Sequence, residues 1–157
     1  MVKKILFSSL VFLMLVAPIT AAVMVRLSLS DLVEKSDLVI VGEVLETQSY
    51  WGINSWGDEL IYTDVTVVVT DALKGAHQQE VVVTIEGGQV GDIGLEPTHM
   101  PTFAKGEKAV LFLQQREAGL WVAGGPQGKW LITNDGLMTR GKIALVDFKA
   151  RIKNLLK

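Results

Sequence analysis

Two long segments rich in β-branched residues decide the fold of this chain, Leu38-Val-Ile-Val-Gly-Glu-Val-Leu-Glu-Thr47 and Leu60-Ile-Tyr-Thr-Asp-Val-Thr-Val-Val-Val-Thr70. Valine, isoleucine and threonine fit the pleated, half-buried surface of a sheet. In the second segment valine alternates with polar residues from position 64 onward, which predicts a strand with one dry and one wet face. Gly42 interrupts the first segment and predicts a bulge or a sharp bend.

Further strands are predicted downstream of these two. Residues 80–86 alternate again, with Val81, Val83 and Ile85 expected to point inward. The run Ala109-Val-Leu-Phe-Leu113 is continuously apolar, which indicates a strand covered on both faces. Residues 120–123 are expected to pair with it.

Two more features complete the β-rich part. A hairpin is predicted with arms at 130–133 and 137–139, because Asn134-Asp-Gly136 suits a tight turn. The stretch from Gly87 to Gly106 has no strand pattern and is expected to be a long irregular loop.

Helices are predicted at both ends of the strand-rich region. Ser28-Leu-Ser-Asp31 is a capping box that opens a short helix from Leu29 to about Lys35. Near the C-terminus the apolar spacing becomes helical, with one stripe made of Leu145, Phe148, Ile152 and Leu155. Together these patterns predict an all-β fold with short flanking helices, an OB-fold-like closed or nearly closed antiparallel β-barrel with a C-terminal helix, because closure removes exposed sheet edges.

Residues 1–22 are predicted to be a signal peptide, so that residues 23–157 form one domain. Lys3 and Lys4 precede an apolar run of about a dozen residues, which then meets Pro18 and the small residues Ala21 and Ala22. The alternative is a membrane anchor, but a spanning helix needs about 20 apolar residues. We therefore expect an exported protein, periplasmic or secreted, without stable membrane insertion after cleavage.

Composition excludes several classes of function. The chain has no cysteine, so thiol chemistry and disulfides are excluded despite the expected export. Loss of residues 1–22 lowers the number of basic residues from 15 to 13 against 17 acidic ones, a net charge of −4. A nucleic-acid partner would require a basic face, so none is expected.

Four segments in order resemble a known superfamily: Ser36-Asp-Leu-Val-Ile-Val-Gly-Glu-Val44, the strand of residues 63–69 ending in Leu73-Lys-Gly75, Phe103-Ala-Lys-Gly-Glu107, and Ala109-Val-Leu-Phe-Leu113. This order resembles the OB-fold of the netrin-like and tissue-inhibitor-of-metalloproteinase (TIMP-like) superfamily over about residues 30–125, and in particular cysteine-free exported bacterial proteins of that type. The resemblance implies a fold and suggests protein binding. The animal inhibitors chelate their protease's zinc through an N-terminal cysteine, so that mechanism has no counterpart here.

No enzyme signature is found, so a non-enzymatic protein without cofactor or metal is expected. Asp92, Glu96 and His99 could form a metal site in the long loop, although an ordinary solvated loop is the simpler interpretation. No Gly-x-Ser-x-Gly motif is present. An unrecognised hydrolase that uses the loop from residue 87 to 106 stays open as an alternative.

The strongest functional signal is the aromatic segment between the first two strands. It is interpreted as a loop, and its candidate binding residues are Tyr50, Trp51, Ile53 and Trp56. Aromatic side chains supply large contact area for protein or sugar recognition. The alternative is that one or both tryptophans fold back and plug the end of the barrel. Trp121 and Trp130 are assigned to the core or the barrel wall.

These observations predict an exported OB-fold binding module whose partner is another envelope or extracellular protein. A carbohydrate-binding module using the same aromatics is the nearest alternative. An accessory structural role in the envelope is a third. The sequence leaves the oligomeric state open.

Overall fold

The computed structural model describes residues 25–76 and 78–157, and the predicted signal peptide and His77 lie outside these residues. Two α-helices flank the strands, α1 (Leu29–Lys35) and α2 (Leu145–Leu155). A 3₁₀ helix spans Gly125–Gly128. The strands are β1 (Leu38–Ile53), β2 (Glu59–Lys74), β3 (Glu80–Glu86), β4 (Gly88–Val90), β5 (Ile93–Leu95), β6 (Lys108–Arg116), β7 (Gly119–Val122) and β8 (Lys129–Ile132).

Five of these strands form a nearly closed ring. Their order is β1-β2-β3-β7-β6, and β6 returns to pair with β1. β8 extends the sheet beside the first half of β6. The pairings are antiparallel except for β3 with β7, which are parallel and joined at Val83 and Leu120. The prediction of an all-β, OB-fold-like barrel with flanking helices is confirmed, with one parallel contact in place of a fully antiparallel ring.

The apolar run in β6 is buried on both faces because the barrel wall separates two cores. Ala109, Leu111 and Leu113 face the barrel interior with residues of β1, β2 and β3. Val110 and Phe112 face outward and pack beneath the two helices. Continuous hydrophobicity in β6 therefore follows from cover on both sides, as predicted. The inward prediction for the alternating residues of β3 is also confirmed.

Gly42 lies where β1 curves, and the register of β1 against β2 shifts between Val41 and Gly42. A Cβ atom at Gly42 would lie 2.5 Å from Val67 Cγ1 and 2.8 Å from the Val68 carbonyl oxygen. The position therefore needs glycine for close approach of two strands, which agrees with the predicted bulge or bend.

Two local predictions were wrong, and a third was right. The aromatic segment is not a loop, since β1 continues to Ile53, β2 starts at Glu59 and only a tight turn joins them. The stretch from residue 87 to 106 is not wholly irregular, because β4 and β5 form a small hairpin within it. The predicted hairpin with arms at 130–133 and 137–139 is confirmed, because Ile132 and Met138 form an antiparallel bridge. The Thr133 N–H donates to the Leu137 carbonyl at 2.8 Å, and the Thr139 N–H donates to the Leu131 carbonyl at 2.9 Å.

Both predicted helices are present. Ser28 Oγ accepts the Asp31 backbone N–H at 3.1 Å, and the Asp31 carboxylate accepts the Ser28 N–H at 2.8 Å, which completes the capping box. In α2 the side chains of Phe148 and Ile152 are buried, whereas Leu155 is exposed and lies outside the buried stripe. Neither helix in the described part of the chain has the length and apolarity needed to span a bilayer.

Candidate functional site

The four candidate residues all project from the β1–β2 hairpin, and none plugs the barrel. Trp56 is 85% exposed, Ile53 75%, Trp51 43% and Tyr50 40%. Three of them lie on strand β1, and only Trp56 is in the turn. The plug interpretation of the two tryptophans is therefore wrong.

The turn that carries Trp56 is organised by one asparagine side chain. Asn54 Oδ1 accepts the backbone N–H groups of Trp56 and Asp58, each at 2.9 Å. The Asn54 backbone N–H also donates to the Asp58 carbonyl at 2.9 Å. Such a side-chain-stabilised turn allows both strands to continue to the tip of the hairpin.

Successive residues of β1 point to opposite faces of the hairpin, and this separates the candidate residues. Tyr50 pairs with Tyr62, and Trp51 pairs with Ile61, which is fully buried. Trp51 therefore lies on the opposite face from Tyr50. The structure brings Tyr50, Ile53 and Trp56 together along one groove, and Trp51 does not line it.

This aromatic groove has a volume of about 590 Å³ and is open to solvent. Its walls are the hairpin tip, the outer face of β2 and β3, and the β6–β7 turn. Its lining includes Tyr50, Trp56, Tyr62, Glu86, Arg116, Glu117 and Trp121. In OB-folds the ligand surface is built from the strand 2–3 face and the adjoining loops, so the groove occupies the position typical of such a site.

Aromatic rings form a continuous row along the groove. The rings of Tyr50 and Tyr62 are stacked with centroids 6.2 Å apart, and Trp121 meets Tyr62 edge-on, also at 6.2 Å. The Arg116 guanidinium lies over the Trp121 ring, 5.2 Å from its centroid. These distances are typical of favourable aromatic and cation–π contacts, so the row is held in place before any ligand binds.

Carboxylates surround the two tyrosines. Burial, and then the nearby charge of Asp64, raise the pKa of Tyr50 above its ordinary value. Burial, and then the charge of Glu86, raise the pKa of Tyr62. Both phenols therefore stay protonated at neutral pH and act as neutral hydrogen-bonding groups. The Tyr50 hydroxyl donates to Asp64 Oδ1 at 3.4 Å.

Trp121 has one unusual feature. Its indole N–H is buried and has no hydrogen-bond acceptor among the described residues. A buried donor without a partner costs about 1–3 kcal/mol of stability. The assignment of Trp121 to the barrel wall is correct, but the same ring also forms the floor of the groove. Trp130, by contrast, stacks on Phe148 at 4.6 Å beneath α2.

A second concavity, of about 490 Å³, lies at the barrel mouth beneath the segment after β3. Two of its hydroxyl groups bond to each other and to the backbone: Ser49 Oγ and Thr63 Oγ1 are 2.8 Å apart, and Thr63 donates to the Gly87 carbonyl at 2.6 Å. These groups therefore support the local structure and have little capacity left for a ligand.

The loop residues considered for metal binding do not converge. Within residues 25–76 and 78–157, no three His, Asp or Glu side chains are grouped as metal ligands. Glu96 lines the barrel mouth, whereas His99 lines a separate cleft beside Trp121. Asp92 lines neither.

No protein-family model matches this chain, and no curated protein matches it with significant similarity.

Several groove residues were missed by sequence reasoning. Tyr62, Glu86, Arg116 and Trp121 come from four separate strands, and no local pattern links them. The sequence signal for Tyr62 was the period-2 alternation of β2, which places it on the same wet face as Asp64.

Proposed function

We propose that this protein is an exported, non-enzymatic binding module that recognises another protein of the cell envelope or the extracellular space through the aromatic groove. The observation that carries this proposal is the continuous row of Tyr50, Tyr62 and Trp121, with Trp56 at the hairpin tip. The resemblance to the netrin-like and TIMP-like superfamily is in keeping with this class of function, and export rests on residues 1–22.

The residue types in the groove favour a protein partner. Tryptophan, tyrosine and arginine are the residues most enriched at energetic hot spots of protein interfaces. All three residue types occur in the groove, and its arginine, Arg116, lies over the Trp121 ring. Trp56 is the most exposed of these aromatics and would lose the most water on binding.

A carbohydrate is the second candidate, because the Tyr50 and Tyr62 rings form a stacked surface on which a sugar ring could lie. To distinguish the two candidates, residues 23–157 are tested for binding to a displayed library of random peptides and to an array of glycans. Selected ligands are then measured by fluorescence titration against the wild-type protein and its variants.

The decisive variant is Trp56→Ala. Because Trp56 is 85% exposed, we expect its melting temperature to stay within a few degrees of wild type. Affinity for selected peptides should fall at least about tenfold, as expected for a central aromatic contact. Val146→Ala, which truncates an exposed apolar residue on α2, is the control and should keep wild-type affinity.

The outcomes separate the candidates. Peptide binding that depends on Trp56 supports the proposal, whereas glycan binding that depends on Trp56 would replace it with carbohydrate recognition. Binding that is equally strong in Trp56→Ala would show that the groove is not the binding site. Trp51→Ala should have the smaller effect, since Trp51 lies on the opposite face of the hairpin.

A further inference from the structure

We propose that the groove recognises a basic segment of the partner, with a lysine or arginine side chain placed between the aromatic row and the groove carboxylates. This inference rests on the proposed function and names the chemistry of its partner. It begins from an excess of negative charge in the groove.

Two carboxylates line the groove, and a third contacts one of its tyrosines from behind. Glu86, at the end of β3, and Glu117, in the β6–β7 turn, line it directly. Asp64 lies behind them and accepts hydrogen bonds from Thr84 Oγ1 at 2.8 Å and from the Tyr50 hydroxyl. The lining contains one cation, Arg116, so its formal charge is −1, and Asp64 adds a further negative charge beside Tyr50.

None of these three carboxylates forms an ion pair with a described residue. The ion pairs of the described chain lie elsewhere, at Glu43 with Lys108, Glu107 with Lys129, and Asp71 with Lys149. Glu86 and Glu117 therefore keep their capacity for an external cation, whereas Asp64 already accepts hydrogen bonds from Thr84 and Tyr50. Tyr50 and Tyr62, which lie between them, have raised pKa values, and their rings remain neutral and electron-rich.

Aromatic faces beside carboxylates are suited to a lysine ammonium or an arginine guanidinium, which is attracted by both. The groove already contains one such contact, because the Arg116 guanidinium lies over Trp121. The exposed tyrosine pair and Trp56 offer further ring faces to a second cation. A neutral sugar would use the rings but would gain nothing from the net negative charge of the lining.

The test uses synthetic nonapeptide pools with random flanks and one fixed central residue: arginine, lysine, glutamine, norleucine or glutamate. Affinity for residues 23–157 is measured at low and at physiological salt. We expect the arginine and lysine pools to bind at least about tenfold more tightly than the glutamine and norleucine pools, and the glutamate pool to bind most weakly. The preference should weaken as salt increases.

Paired variants connect this preference to the groove. Glu86→Gln with Glu117→Gln should remove most of the preference for the basic pools over the norleucine pool. Glu34→Gln with Glu80→Gln removes the same number of charges from exposed positions away from the groove, and should keep the preference. Equal loss in both variants would show a general charge effect and overturn the inference.

Failure of this inference can be distinguished from failure of the proposed function. Binding that depends on Trp56 but shows no preference for basic pools would overturn the inference and leave the peptide-binding groove intact. If no pool binds in a manner that depends on Trp56, or if only glycans do, both proposals fall.

Discussion

Lys129 is the one charged residue that is buried in the described part of the chain, and its partner Glu107 gives a sharp test of the structure. The Lys129 side chain is 8% exposed, and its Nζ lies 2.6 Å from Glu107 Oε2. It also donates to the Thr102 carbonyl and lies 4.3 Å from the centre of the Phe103 ring. The pair thereby connects two parts of the chain, the segment that precedes β6 and strand β8.

Replacing Glu107 should lower the free energy of unfolding more than replacing Lys129. Glu107→Gln leaves a buried ammonium with neutral partners only, and breaking one side of a buried pair typically costs about 3–5 kcal/mol. Because glutamine can keep a neutral hydrogen bond, we expect about 2–4 kcal/mol. Lys129→Met keeps the packing of the stem and leaves Glu107, which is 27% exposed, able to turn to water. We expect that variant to cost only about 1 kcal/mol.

Urea unfolding of both variants and of the double variant measures these values. The double variant should be more stable than the sum of the two single changes implies, with a coupling of about 1 kcal/mol or more. Equal costs for the two single variants, or a coupling below about 0.5 kcal/mol, would show that water screens the pair and that the buried-charge reasoning fails.

Three other predictions concern the core, the barrel mouth and pH. Phe112→Ala should lower the free energy of unfolding by about 3–5 kcal/mol, because that side chain is fully buried; a cost below about 1 kcal/mol would contradict its position between sheet and helices. Gly88→Ala should cost at least about 2 kcal/mol, since Gly88 has a φ of +129° and its Cβ would collide with the hydroxyls of Thr63 and Ser49. Gly91→Ala, with a φ of +61° and open space around it, is the matched control and should cost about 1 kcal/mol. The hydrogen bond from Lys149 lowers the pKa of Asp71 below its ordinary value of 3.8. The stabilisation from Asp71 should thus be complete above about pH 4 and be lost as the pH falls through the lower pKa of the folded state, so the stability difference between wild type and Asp71→Asn should vanish in acid.

The strands were predictable where one local pattern was sufficient. The alternation in residues 80–86 indicates burial on one face. The continuous apolar run in Ala109–Leu113 indicates burial on both faces. The capping box at Ser28 and Asp31 is likewise satisfied within four residues. Each depends on neighbours a few positions apart, which any reader of the sequence can see.

The prediction of a loop between β1 and β2 failed for a physical reason. Gly52, Asn54 and Ser55 are typical of turns, so residues 50–58 were interpreted as a loop. Cross-strand stacking of Tyr50 on Tyr62 overrides that local preference and keeps β1 extended to Ile53. Only this extended conformation directs Tyr50 and Trp51 to opposite faces.

The sequence by itself determined the strand-rich character, the two flanking helices and the concentration of aromatic residues before β2. The tertiary structure alone decided that Tyr62 meets Trp121, because that contact depends on β7 lying beside β3. It also decided that Glu86 and Glu117 share one groove. Local periodicity depends on residues two to four positions apart, whereas these contacts depend on closing the ring of strands. That closure is selected by the burial of the whole core, and no short segment encodes it.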